Sequence, residues 1–419
     1  MYEKYKLKNN LTVILAPQQD TKAMTAMVMF PVGSRYEPEY LAGSSHYIEH
    51  MMFKGTKKRK NTLALTREID RLGARYNAFT GKEYTGYYIK ASASYAKTSL
   101  DILSDMIFNS TFDKKEMERE KGPIIEEIRM YNDNPMMNID NIFEDVLYAG
   151  CPLGRDIAGT VEHVKGYKRD DVLAYKEKHY QPSNTILVLS GKIDEKTKVL
   201  VEQYFGQEKD SKKPVKTFKP AAFGPATKKD RFFVEKKQTD QAQLMLGFPA
   251  FEYGAKENPA VSLMNSIFGG SMSSRLFIQI RERRGLAYMI RSGRDTFHDS
   301  GYVYVRAGLE AKNIKKAMEV IQSEIDKLIE KGVSKRELLD AKTHVRGSLT
   351  LAQEDSSFWA NWYAKEALFA KKIQTPEEYI QKLEAVTQED IVKVAKQIFK
   401  PKQMRVAIIG DVDKKDIII

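Results

Sequence analysis

Short apolar runs alternate with longer amphipathic segments along the chain, and the two patterns predict strands and helices. The short runs are bounded by polar or turn-forming residues, as in strands. The longer segments repeat apolar residues every three or four positions, as in helices that bury one face. The clearest predicted strands are residues 11–15, 26–30 and 85–91, and the clearest predicted helices are residues 46–52 and 95–108.

The two halves of the chain repeat this order of elements. HYQPSNTILVLSGKID ends the first half and IFKPKQMRVAIIGDVD ends the second, so that Pro182 matches Pro401 and Gly191 matches Gly410. Upstream, MMFKGT resembles SIFGGS. Each half contains a strand, a helix, a strand pair, long helices and a terminal strand. The repeat predicts an α+β fold of two homologous domains, each an antiparallel-rich sheet with helices mainly on one face.

A lysine-rich segment with three prolines separates the two repeats. Pro214, Pro220 and Pro225 lie within residues 208–230. Proline removes a backbone donor and restricts the residue before it, so this segment is predicted to be an extended linker. The predicted domains are therefore residues 1–207, with the candidate chemistry described below, and residues 231–419.

Length and composition narrow the class of protein. A chain of 419 residues exceeds one hydrophobic core, and 42% hydrophobic with 30% charged residues argues against wholesale disorder. No apolar run reaches the ~18 residues of a membrane span, and the first 17 residues lack the pattern of a secretory signal. The single cysteine, Cys151, excludes an internal disulfide and a cysteine-based zinc site. A cytoplasmic protein without a membrane span is expected.

The formal net charge of +12 raises nucleic-acid binding as a hypothesis. The basic residues are spread along the chain, and no tract follows a phosphate backbone. We therefore expect no nucleic-acid partner.

The motif HYIEH carries the strongest chemical signal. On a helix, His46 and His50 lie one turn apart on the same face, with Glu49 close to their shared edge. Two imidazoles in this arrangement can bind zinc, and the carboxylate can act as a general base toward water. The order is the H-x-x-E-H of inverted zincins. The alternative is a chance spacing on an ordinary surface helix.

A catalytic zinc needs a third protein ligand, and the other four histidines lack partners at ligand spacing. A better source is the predicted helix of residues 117–131, which contains Glu120, Glu126 and Glu127. Glu120 and Glu127 are seven residues apart, which is two helical turns, so they can share a face.

These motifs resemble the pitrilysin family of inverted zincins, most closely its mitochondrial processing peptidase branch and prokaryotic relatives. That family has H-x-x-E-H followed after about 75 residues by a glutamate ligand. The resemblance implies that Glu127 is the third zinc ligand and Glu120 a supporting catalytic carboxylate, although one step in register would exchange Glu126 and Glu127. The segments HMMFKGT, LGARYNAFTGKEYTGYY and GGSMSSRLFIQIRERRGLAY fit the same resemblance, which covers nearly the whole chain.

The resemblance also implies where substrate binds. Asn77, Ala78 and Thr80 correspond to residues that lead into an edge strand, which receives the peptide as an added β-strand. Pairing through the main chain captures unfolded peptides with little regard to sequence. Without the neighbouring metal motif, the same segment would be an ordinary aromatic hairpin.

The second half is expected to bind no zinc. Val261, Met264 and Asn265 occupy the positions that match the metal motif. Arg281 and Tyr288 match a family pair that orients the substrate and stabilises oxyanion charge, although RERR on a helix is more commonly a charged face.

Two features depart from the family pattern. Ser44 and Ser45 precede the motif and are expected to cap its helix. Gly122 and Pro123 lie between the two glutamates, and proline inside a helix predicts a break, with Glu120 on one segment and Glu127 on a restarted helix.

The sequence thus predicts an endopeptidase with one Zn²⁺ per chain, which cleaves peptides or short unfolded polypeptides inside a closed chamber. Its expected assembly is a homodimer with composite sites, with a heterodimer as the alternative. A catalytically silent scaffold of the same fold is the main rival hypothesis, and a basic nucleic-acid-binding protein is the second.

Overall fold

The computed structural model describes residues 2–210, 218–224, 227 and 230–414. The strands are β1 (Glu3–Lys6), β2 (Thr12–Pro17), β3 (Ala23–Phe30), β4 (Arg75–Thr80), β5 (Thr85–Ser92), β6 (Ile186–Gly191), β7 (Phe232–Lys236), β8 (Ala242–Ala250), β9 (Ala287–Thr296), β10 (Gly301–Leu309) and β11 (Arg405–Gly410). The α-helices are α1 (Ser44–Met51), α2 (Thr62–Asp70), α3 (Ala96–Asn109), α4 (Lys114–Asp133), α5 (Pro135–Leu147), α6 (Val161–Gly166), α7 (Arg169–His179), α8 (Glu195–Phe205), α9 (Asn258–Gly269), α10 (Ile314–Lys331), α11 (Lys335–Ala352), α12 (Ser356–Phe369), α13 (Pro376–Glu384) and α14 (Gln388–Ile398).

The strands form two sheets of similar topology. One has the order β1-β2-β6-β3-β5-β4 and the other β7-β11-β8-β10-β9. Only the β2/β6 and β7/β11 pairs are parallel in these sheets. The prediction of an α+β fold with two antiparallel-rich sheets is confirmed, and the predicted strands and helices fall on β2, β3, β5, α1 and α3.

The first compact unit contains the six-stranded sheet and comprises residues 1–128, 155–219 and 351–373. Side chains alternate between the two faces of the sheet. Val28 packs on one face with Ile48 of α1 and Ile124 of α4. Ile14 packs on the opposite face, which α12 covers with Tyr363. Because both faces are covered, every residue of β6 and nearly every residue of β3 is buried.

The second compact unit contains the five-stranded sheet and comprises residues 129–154, 220–350 and 374–419. Leu244 and Leu246 of β8 belong to its main core, together with helices α9, α10 and α14. Met245, which points to the opposite face, packs with Ile139 and Phe143 of α5. Among the described residues, each sheet therefore has one α-helix on the face opposite its main core.

Those single helices come from the other half of the sequence. α5 belongs to the second unit although it precedes residue 208, and α12 belongs to the first unit although it follows residue 230. The compact units are therefore not two consecutive stretches of chain. Part of the predicted linker, including Pro214 and Pro225, lies outside the described residues, and residues 218–224 form neither helix nor strand.

The predicted break at Pro123 is wrong, because α4 runs through it without interruption. Proline costs one backbone hydrogen bond at this point. Apolar side chains on both sides of it, Met117, Ile124 and Ile128, are buried in the core of the first unit and hold the helix together. Glu120 and Glu127 consequently lie on one continuous helix.

In the part of the chain that the structure describes, no helix combines the length and the hydrophobicity needed to cross a lipid bilayer.

Candidate metal centre

α1 presents the two histidines of HYIEH on one face. The imidazole centroids of His46 and His50 are 4.6 Å apart. The predicted serine cap of this helix is wrong: Ser44 and Ser45 are already helical, and the N-cap is Gly43. The carboxylate of Glu37 takes the place of a cap, since it accepts hydrogen bonds from the backbone N–H groups of Gly43 and Ser45, both at 2.6 Å.

α4 brings a carboxylate opposite these imidazoles. Tyr47 of α1 donates a 2.5 Å hydrogen bond to the carbonyl oxygen of Met117, which fixes α4 against α1. Glu127 Oε1 lies 3.7 Å from His46 Nε2, and Glu127 Oε2 lies 3.5 Å from His50 Nε2. Glu126 is exposed and is outside this cluster.

The donor set fits a zinc ion. One donor atom from each of His46, His50 and Glu127 lies within 4.8 Å of the other two, and no second cluster of this kind occurs in the described ranges. Ligands of tetrahedral zinc with bonds of ~2.0–2.1 Å are separated by about 3.4 Å, close to the two distances above. Burial, together with the nearby His50, lowers the pKa of His46 to about 4, so its imidazole is neutral and able to ligate at pH 7.

Glu120 orients one of the two imidazoles. Its Oε1 lies 2.9 Å from His50 Nδ1, and its Oε2 lies 2.5 Å from Lys54 Nζ. Burial raises the pKa of Glu120, but the hydrogen bonds from His50 and Lys54 outweigh burial, and the pKa lies below its usual value. An ionised carboxylate only accepts, so His50 donates through Nδ1 and keeps the lone pair of Nε2 for a metal.

Glu49 lies on the same helix, three residues after His46 and directly before His50. Thr80 at the end of β4 donates a 2.5 Å hydrogen bond to Glu49 Oε2. Burial is the main cause that raises the pKa of Glu49, and the hydrogen bond from Thr80 opposes it. Thr80 of the sheet therefore holds one carboxylate oxygen of Glu49, while the backbone of Glu49 belongs to α1.

The residues expected to bind substrate lie on β4, which pairs with β5 and is the last strand of its sheet. Asn77 is exposed, Ala78 is buried, and Thr80 contacts Glu49 as described above. The structure therefore places this strand beside the metal helix, with one edge unpaired within the described residues.

Arg281 and Tyr288 lie next to each other in the second unit. Arg281 lies in the last turn of a short π-helix (Phe277–Glu282), and its guanidinium carbon is 5.2 Å from the centre of the Tyr288 ring. Tyr288, on β9, is 73% exposed. Three positions of α9 match the metal motif, and none of them carries an imidazole. Val261 and Met264 are buried, and Asn265 donates toward the carbonyl oxygen of Ser292.

Two neighbours of the site were missed by sequence reasoning. Lys54 lies within the quoted segment HMMFKGT, and its position one turn after His50 is a weak signal for contact with the same carboxylate. Glu37 lies six residues before the N-cap and has no local pattern that identifies it as a cap.

The sequence matches two family descriptions. Residues 12–161 match "Insulinase (Peptidase family M16)" and residues 167–345 match "Peptidase M16 inactive domain". The chain is 34% identical over 399 residues to the "Uncharacterized zinc protease YmxG" of Bacillus subtilis, covering 95% of this chain and 96% of that protein. It is also 34% identical over 397 residues to an "Uncharacterized zinc protease" of Rickettsia felis, covering 94% of both.

Two solved structures have the same fold. One, described as a protease from Helicobacter pylori, has a TM-score of 0.91 and 23% identity, and covers 98% of this chain and 99% of its own. The other, described as a peptidase M16 inactive domain from Pseudomonas fluorescens, has a TM-score of 0.89 and 17% identity, and covers 98% of both chains. At these identities the likeness concerns the fold alone.

Proposed function

The chain belongs to peptidase family M16, the insulinase family, and from that premise we propose that it is a zinc-dependent endopeptidase. The observation that carries this proposal is the convergence of His46, His50 and Glu127, whose donor atoms lie within 4.8 Å of one another. The names of the relatives from Bacillus subtilis and Rickettsia felis support zinc as the metal. We also propose that, within this family, the chain is most similar to the mitochondrial processing peptidase branch.

His46, His50 and Glu127 would hold one zinc ion per chain. When bound, the ion supplies a Lewis acid that makes water more acidic and polarises a carbonyl group. Glu120 holds His50 in the tautomer whose Nε2 faces Glu127.

Glu49 is the proposed general base. Thr80 holds its Oε2, which leaves Oε1 to take a proton from the attacking water and to return it to the departing amide nitrogen. The hydrogen bond fixes the carboxylate before substrate arrives, and the base therefore needs no reorganisation.

The proposed substrates are peptides or short unfolded polypeptides. The edge of β4, which has no pairing strand in the described part of the chain and carries Asn77, Ala78 and Thr80, supports capture of an extended peptide as an added strand. Arg281 and Tyr288 would orient the peptide and stabilise the oxyanion. We further propose that cleavage takes place inside a closed chamber. The proposed assembly is a homodimer, or alternatively a heterodimer, and the proposed location is the cytoplasm.

The test combines metal analysis with cleavage of a quenched fluorescent peptide. We expect about one zinc per wild-type chain, chelator-sensitive cleavage, loss of zinc in His50→Ala, and retained zinc without turnover in Glu49→Gln. Asn265→Ala, at the position of the second half that matches His50, is the control and should keep both zinc and activity. Full cleavage by Glu49→Gln would contradict the role of the base.

A wild-type chain that binds zinc and cleaves no peptide of any tested length would favour the catalytically silent scaffold. A wild-type chain that binds no zinc would overturn the proposed metal centre and leave the catalytically silent scaffold as the remaining hypothesis.

A further inference from the structure

The start of α1 is built in an uncommon way. Gly43 is its N-cap, with a left-handed backbone (φ 90°, ψ −2°), and has no side chain that could accept a hydrogen bond. The hydroxyl of Ser44 is buried without a partner among the described residues. That of Ser45 contacts Tyr175 at 3.4 Å. The free N–H groups at this helix end therefore need an acceptor from elsewhere.

Glu37 supplies that acceptor. Each of its two carboxylate oxygens accepts one backbone hydrogen bond, Oε2 from Gly43 and Oε1 from Ser45. The side chain lies in the interior, where the residue is only 4% exposed, and Arg155 donates to the Glu37 carbonyl oxygen at 3.0 Å. Burial raises the pKa of Glu37 to about 7, and the hydrogen bonds from Ser45 and Gly43 oppose this rise because they favour the ionised form.

The two metal-binding imidazoles are held in different ways. His50 is oriented through its side chain, because its Nδ1 bonds to Glu120. The Nδ1 of His46 is buried and has no partner among the described residues. The orientation of His46 therefore depends on its packing and on the backbone that carries it. The residue directly before it is Ser45, whose N–H is held by Glu37.

We propose that Glu37 is a positioning residue of the metal centre, which fixes the first turn of α1 and thereby aims His46 at the ion. This inference rests on the proposed zinc site. α1 has only eight residues, and so short a helix is not stable by itself. Loss of its N-terminal acceptor would release the first turn, which carries His46, before it affects the turn that carries His50.

Glu37→Gln is the informative variant, because glutamine has the same shape and one acceptor oxygen. Its amide nitrogen would face one of the two backbone N–H groups, which leaves that donor unpaired. Glu37→Asp keeps a carboxyl group with two oxygens on a side chain one methylene shorter. Ser44→Ala is the matched control, since it removes a hydroxyl of the same turn that has no partner among the described residues.

The readouts are the zinc dissociation constant, from competition with a chromophoric chelator, and the visible absorption spectrum of the Co²⁺-loaded chain. We expect Glu37→Gln to bind zinc about 10- to 100-fold more weakly, as is typical of residues that orient a ligand. Glu37→Asp should lie between it and wild type, and Ser44→Ala should equal wild type. The Co²⁺ bands of Glu37→Gln should move, because they report ligand geometry rather than overall stability.

Equal zinc affinity and equal Co²⁺ spectra in wild type and Glu37→Gln would overturn this inference while the proposed function stands. A wild-type chain without zinc affinity would overturn both. If neither Glu37 variant folds, amide hydrogen exchange in the metal-free wild type decides. The Gly43 and Ser45 amides should exchange at least about tenfold more slowly than in an unstructured chain, and unprotected exchange would overturn the inference.

Discussion

The substitution Glu120→Gln tests how the metal centre is supported. The carboxylate of Glu120 serves two donors at once, His50 Nδ1 at 2.9 Å and Lys54 Nζ at 2.5 Å, one on each oxygen. Glutamine offers one acceptor oxygen for the same two donors. Whichever way its amide turns, either His50 or Lys54 faces an N–H₂ group and loses its partner.

The expected cost appears in zinc affinity. Partners that orient a metal-binding histidine typically contribute 10- to 100-fold, which corresponds to about 1.4–2.7 kcal/mol. Glu120 is 7% exposed at its side chain, so solvent replaces its contacts only in part. The lost negative charge acts in the same direction, since it leaves Lys54 unneutralised near a cation. We therefore expect zinc binding to weaken by about 10- to 100-fold.

Chelator competition on the metal-free chain measures this effect. Glu118→Gln is the matched control, because it makes the same change on the same helix at a side chain that is 71% exposed and pairs with Lys121. Adding Lys54→Met to Glu120→Gln restores the net charge and frees the glutamine oxygen for His50. The double variant should recover to within about threefold of wild type. If it is as weak as Glu120→Gln alone, competition between two donors is not the cause.

Three further outcomes are expected. Gly43→Ala should lower the melting temperature by at least about 4 °C, because its Cβ would lie 2.3 Å from the Ala158 carbonyl oxygen at φ 90°; an unchanged melting temperature would contradict the tight approach. Burial lowers the pKa of His179 from 6.5 to about 4, so the unfolded chain binds the proton at a higher pH than the folded chain does. The free energy of unfolding therefore falls, by up to about 3 kcal/mol, as the pH drops from 6.5 to about 4. His179→Gln should shift acid unfolding, followed by circular dichroism, to lower pH. Thr80→Val should reduce kcat/KM for a peptide about tenfold with zinc affinity unchanged, because it removes the donor to Glu49, and Thr80→Ser should restore it.

The sequence was most informative where a spacing translates directly into geometry. The separations of four positions from His46 to His50 and of seven from Glu120 to Glu127 each place two side chains on one helix face, and the structure brings these faces together. The presence of two antiparallel-rich sheets was predicted from the internal repeat of the sequence. The hydrogen bonds of Glu37 to the N-terminus of α1 could not be predicted from spacing. Glu37 lies outside the helix, and its position follows no periodic pattern in the sequence.

The wrong prediction at Pro123 has a related cause. Local propensity favours a break, but tertiary packing of Met117, Ile124 and Ile128 outweighs the cost of one hydrogen bond. The placement of α5 and α12 also escaped prediction, since the apolar pattern of a helix does not identify the sheet that it will cover.

The origin of α12 in the second half governs when the first unit can be completed during synthesis. Ile14, Met27 and Val188 of the six-stranded sheet are covered by Ala360 and Tyr363, which leave the ribosome only after most of the chain has been made. Until then an apolar sheet surface faces solvent and is a target for chaperones or for self-association. A gene fragment that ends before residue 351 should therefore yield an aggregating product, and co-expression of residues 351–373 as a separate peptide should improve its recovery in soluble form.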